Sequence, residues 1–157
     1  MMRHRLLVVF LAGAALESVP ATHPSKDHQL VTPDGLKWAD GPPSLPPGCK
    51  GAVLEGDPSK KGPFVIRVKM PAGYRVRPHT HPQDERVTVL SGTVYFGMGE
   101  KFDETVAKAM PAGSYARMPA GVKHFAFTKE ETVIQVHGVG PWAINYVNPD
   151  DDPRKKK

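Results

Sequence analysis

His79 and His81 lie two residues apart, and Glu85 follows four later. In an extended chain the side-chain period is two, so both imidazoles project from one face. Glu85 shares that register and reaches the same side if the chain stays extended or turns at Pro82. His124 stands early in a later β-prone run, behind the tight turn Pro119-Ala120-Gly121. It would complete a set of three histidines and one carboxylate, the donor set a borderline divalent metal asks for. A lone His-x-His is more often a surface or hydrogen-bonded pair, so the weight rests on what surrounds it.

The elements that must position these groups are strands. Phe64, Ile66, Val68 and Met70 alternate with Val65, Arg67 and Lys69, the period of a half-buried strand. Further short β-prone runs span 87–90, 93–96, 105–110, 114–118, 124–127 and 132–137. Each is closed by a turn signal such as Ser91-Gly92 or Pro111-Ala112-Gly113. The 15 Gly and 17 Pro of the 157 residues argue for many turns and against a helical bundle. Short strands at this spacing, with no helical period, predict an all-β sandwich or barrel.

Two spaced motifs narrow this. Gly73, His79, His81, Glu85 and Gly92 are separated by five, one, three and six residues. Gly113, Pro119, Gly121 and His124 are separated by five, one and two, and residues 93–112 divide the two sets. This pattern strongly resembles the cupin superfamily, directly over Gly73–Thr128 and as a barrel over 64–147. One departure exists: Thr128 stands where the family often has Asn, which bears on local packing and not on metal binding. The resemblance implies a double-stranded β-helix, a jelly-roll barrel, with His79, His81, Glu85 and His124 as ligands of one divalent transition metal. It also implies a homodimer. Four protein ligands on an octahedral ion leave two positions that a substrate with adjacent oxygens can take. Fe, Mn, Ni, Co, Zn and Cu all suit such ligands.

Around that centre, Gln135 and His137 share one face of a strand, with Ile134 and Val136 on the other. If the polar pair points inward, His137 is the candidate base; if the aliphatic pair does, His137 faces solvent. Trp142, Ile144 and Tyr146 alternate and are expected in core or barrel-end packing, with pocket lining the lesser alternative, and Tyr74, Tyr95, Phe125 and Phe127 are expected in the core. Arg67, Arg75, Arg77 and Arg117 could clamp a carboxylate, but a solvated outer face is the stronger expectation.

The net charge of +5 is not a nucleic-acid signature. Arg3 and Arg5 and the run Arg154–Lys157 account for six of the 21 basic residues, and the remaining 15 face 16 acidic ones. With the body at −1, no basic face is left to follow a phosphate backbone. Met1–Arg5 is basic, 6–16 is apolar, and Val19-Pro20-Ala21 has small side chains at a cleavage spacing. This is the pattern expected of a secretory leader with cleavage near Ala21; eleven apolar residues are too few to span a bilayer, and an intact N-terminal anchor is the competing reading. The expected division is a leader at 1–21, a Pro/Gly-rich arm at 22–62 with short strands at 36–38 and 52–54, a barrel at 63–148 and a mobile charged tail at 149–157. The product would be periplasmic or secreted, with no membrane attachment after cleavage. Cys49 is the one cysteine, so no intrachain disulfide forms, and it is given no role.

The expected function is a metal-dependent enzyme on a small oxygen-rich molecule, either a dioxygenase or a Lewis-acid isomerase or decarboxylase. The alternative is a cupin that binds a metal or small ligand without turnover.

Overall fold

The computed structural model describes residues 28–155, and the folded body begins at Val31. The expected leader at 1–21 lies outside the described residues. Among those described there are eleven strands, a few one-turn 3-10 segments and no α-helix. The strands are β1 (Ala39–Asp40), β2 (Lys50–Glu55), β3 (Gly62–Met70), β4 (Arg75–Thr80), β5 (Glu85–Ser91) and β6 (Thr93–Met98). They continue as β7 (Lys108–Pro111), β8 (Tyr115–Met118), β9 (His124–Thr128), β10 (Thr132–Gly140) and β11 (Asn145–Tyr146). One sheet runs β1-β2-β3-β10-β5-β8 and the other β11-β4-β9-β6-β7. Every pairing is antiparallel, and the two sheets face each other as a jelly roll. The stretch expected as an arm supplies β1 and β2, which pair onto β3.

The alternation read along β3 is the one observed. Phe64, Val68 and Met70 are buried and meet Val76, Val94, Phe96 and Ala126 from the opposite sheet. Such burial stabilises by roughly 1.5–3 kcal/mol for each large apolar side chain. On β10 the aliphatic residues turn inward: Ile134 and Val136 are buried, and Gln135 accepts from Arg67 Nε at 3.1 Å on the outer face.

β4 departs from simple alternation. Strict period two from Val76 would send Arg77 and His79 to opposite faces from Val76, both outward. Instead Val76 pairs with Ala126 while His79 pairs with His124, three steps on β4 against two on β9. The extra residue falls at Arg77-Pro78, where proline has no N–H to give the ladder. The shift reverses the parity, so Arg75 and Arg77 are exposed and His79 is buried.

Gly92 links β5 to β6 at φ +70°, where a Cβ would meet Glu131 O at 2.4 Å. Only glycine fits both demands. The outer face of β9 is covered too, because Phe102 packs on Phe125 with ring centroids 4.8 Å apart and Tyr95 stacks on Phe127 at 4.8 Å. The segment expected as a free tail is tied to the body through residue 155. Arg154 donates to Asp152 Oδ1 at 2.8 Å and to Ile144 O at 3.0 Å, and Asp152 is buried.

Candidate metal centre

β4 delivers His79, the turn after it delivers His81, β5 opens with Glu85, and β9 opens with His124. All four side chains are buried. One ring nitrogen from each histidine lies within 4.8 Å of the others. Each Nδ1 donates to a backbone carbonyl: His79 to Arg77 at 2.7 Å, His81 to Ala143 at 2.8 Å, and His124 to Val122 at 3.1 Å. In the neutral rings this assigns the hydrogen to Nδ1 and leaves the Nε2 lone pair to accept. Nε2 of His81 and of His124 are buried without a hydrogen-bond partner. Oε2 of Glu85 lies 3.5 Å from the first and 3.3 Å from the second.

Burial, reinforced by the like charges that His124 and His81 would carry, lowers the His79 pKa to about 3. Burial by itself would push the Glu85 carboxyl up, but His124 and His81 against it, in their protonated form, outweigh burial and hold it below the usual carboxylate range. An ionised carboxylate in an apolar interior calls for a cation.

The residues fit a metal. An ion that takes nitrogen and oxygen donors at about 2.0–2.2 Å keeps adjacent donors about 3 Å apart and opposite ones about 4 Å apart. The Glu85 contacts and the histidine spread lie close to that range.

The centre opens on a cavity of about 50 Å³. Its remaining lining is hydrophobic, with Val68, Phe96, Ile134, Val136, Trp142 and Ile144 prominent. Trp142 and Ile144, expected as packing residues, therefore also form its wall. Trp142 lies flat on His81, with ring centroids 4.4 Å apart and planes at 15°.

Residues 26–143 match the ChrR cupin-like domain. The chain belongs to that family. Among curated proteins, none matches it. Of solved structures, this cupin is similar to the polyketide cyclase RemF from Streptomyces resistomycificus, at 15% identity and TM-score 0.63, over 82% of this chain and 91% of that one. It is similar to an acetylacetone dioxygenase from Acinetobacter johnsonii, at 16% identity and TM-score 0.63, over 87% and 88%. A third is a putative acetylacetone dioxygenase from Methylibium petroleiphilum, at 18% identity and TM-score 0.62, over 83% and 88%. At these identities the likeness is one of fold.

His137 does not join the cupin's cavity. It sits on the outer face of β10 between Val65 and Arg86, opposite in parity to the inward Ile134 and Val136, and has no route to the centre as a base. Of the arginines, Arg75 pairs with Glu104 at 2.9 Å and Arg117 with Asp84 at 2.8 Å, so neither clamps a ligand in the cavity. Cys49 is buried, and burial raises its thiol pKa.

Asp84 escaped sequence reasoning. One of its oxygens accepts from the Ala120 N–H at 3.0 Å, the other from Arg117 at 2.8 Å and Arg86 at 3.2 Å. It fastens the turn that carries Glu85 to the turn that precedes His124. Arg117 and Ala120 lie 33 and 36 residues away along the chain, so no local signal marks the junction.

Proposed function

We propose that this cupin is an exported, metal-dependent enzyme of the oxygenase type. Its substrate would be a small, largely apolar molecule that presents two adjacent oxygens. One observation carries the reading: the ionisable groups of a small hydrophobic cavity are the four candidate ligands themselves. A divalent transition ion held by His79, His81, Glu85 and His124 would supply Lewis acidity and, where redox-active, electron transfer.

The protein's own contributions follow from its side chains. The three Nδ1–H groups, anchored on carbonyls, keep the rings oriented. Glu85 offsets charge, and the apolar wall excludes water, which strengthens every electrostatic interaction inside. Apart from Glu85, itself a candidate ligand, the described lining offers no carboxylate, amide or guanidinium to the hydroxyls of a sugar, which favours an apolar substrate over a sugar. An acetylacetone dioxygenase of similar fold, by its name, acts on a small dicarbonyl compound, in keeping with this cavity.

The test is oxygen uptake by the purified protein loaded in turn with iron, manganese, nickel, cobalt, zinc and copper. The substrates are a panel of 1,3-dicarbonyl and enolic compounds. Metal-dependent uptake that disappears in His81→Ala supports the proposal. A metal-loaded protein that takes up no oxygen and leaves the whole panel unchanged overturns it.

A further inference from the structure

Among the described residues, three buried side-chain atoms lack a hydrogen-bond partner: His81 Nε2, His124 Nε2 and Trp142 Nε1. All three residues line the same cavity. The two imidazole nitrogens are acceptors, and a cation answers them. The indole N–H is a donor, and no cation can. An unsatisfied buried donor costs on the order of 1–3 kcal/mol, and a phenyl ring would fill the space without that cost.

The indole is also held in place. It lies against His81, packs against Phe64 at 5.8 Å between ring centroids, and its own backbone N–H donates to Pro58 O at 2.7 Å. A fixed, buried donor with no protein partner, one ring away from a candidate metal ligand, is a recognition group awaiting an acceptor. We infer that Trp142 is a substrate-binding residue whose Nε1–H donates to an oxygen of the bound molecule. The ligand class is then a small enolate, carboxylate or carbonyl compound whose oxygens both reach the metal centre and accept from the indole. This inference rests on the metal reading proposed above.

The experiment uses the full chain, in which Trp38 and Trp142 are the two tryptophans. In a 15N-labelled Trp38→Phe protein, the single indole N–H resonance belongs to Trp142. Zn²⁺ is added first and acetylacetone second. The expected result is a downfield shift of that resonance on the second addition. Trp142→Phe should bind Zn²⁺ as the unaltered protein does, but acetylacetone about tenfold more weakly, the worth of one buried hydrogen bond. A resonance that stays put while acetylacetone binds overturns the assignment and leaves the metal reading intact, and so does equal affinity in Trp142→Phe. Zn²⁺ uptake without acetylacetone binding overturns the ligand class. Failure to take up Zn²⁺ at all overturns both readings.

Discussion

The backbone N–H of Gly121 donates to the carbonyl of His81 at 2.9 Å. It joins the turn after β4 to the turn before β9, so two candidate ligands 43 residues apart in sequence are set by a contact between loops. Asp84 reinforces the same junction through Ala120 and Arg117. Removing it should loosen the centre without unfolding the sheets, because Asp84 and its arginines lie toward the surface. Asp84→Ala is expected to weaken Zn²⁺ binding about tenfold, at the low end for loss of an outer-sphere partner. Competition with a chromogenic chelator measures this, and unchanged affinity would refute the junction's role.

Nε2 of His81 and of His124 are left without a partner in the metal-free protein, and an ion that binds the folded chain should stabilise it by mass action. At a hundred times its dissociation constant, Zn²⁺ adds about 2.7 kcal/mol, worth about 10 °C in Tm for a domain of this size. His124→Ala should abolish that rise. Differential scanning calorimetry with and without Zn²⁺ decides it; a rise that persists in His124→Ala would place the ion elsewhere.

Much of this was legible in the chain. The period of two along Phe64–Met70 marked β3, and the spacing of Gly73, His79, His81, Glu85, Gly92 and His124 marked the barrel corners and the meeting point. What escaped depends on contacts remote in sequence. β4 carries two arginines and a proline, so propensity gives no sign of a strand, and only its pairing with β9 creates one. The outward turn of His137 was a matter of parity, decided by which β10 face the opposite sheet covers. Trp142 looked like packing and is packing, yet its unpartnered nitrogen shows only in three dimensions.

The C-terminal clasp predicts a pH dependence. The hydrogen-bonded Arg154 guanidinium holds the Asp152 carboxyl below its usual value of 3.8. A depressed folded pKa means stability that is present above 3.8 and lost as pH falls through the lower folded value. Asp152→Asn, which cannot ionise, should therefore have a lower Tm than the unaltered protein at pH 7. That gap should narrow as both are taken below 3.8. Thermal unfolding followed by circular dichroism across this range checks it, and a gap independent of pH would exclude the ion pair as its source.

Thr128, where the sequence departs from the commoner Asn, offers the last prediction. Its hydroxyl donates to Pro71 O at 2.6 Å and accepts from the Tyr74 N–H at 3.3 Å, bridging the turn between β3 and β4. A carboxamide has a donor and an acceptor for the same two partners, so threonine performs the bridging with less bulk. Thr128→Val keeps the shape and removes both bonds, leaving the Pro71 carbonyl only the 3.4 Å bond from the Tyr74 N–H. It should cost about 1–3 kcal/mol in urea unfolding. Thr128→Asn should cost less than valine, even though Thr128 is only 2% exposed and the larger side chain must find room. His124 stands at the other end of β9, so Zn²⁺ affinity should stay within about twofold of the unaltered protein in both variants. If valine proves as stable as threonine the bridge is idle, and if either variant loses Zn²⁺ the turn reaches the metal centre after all.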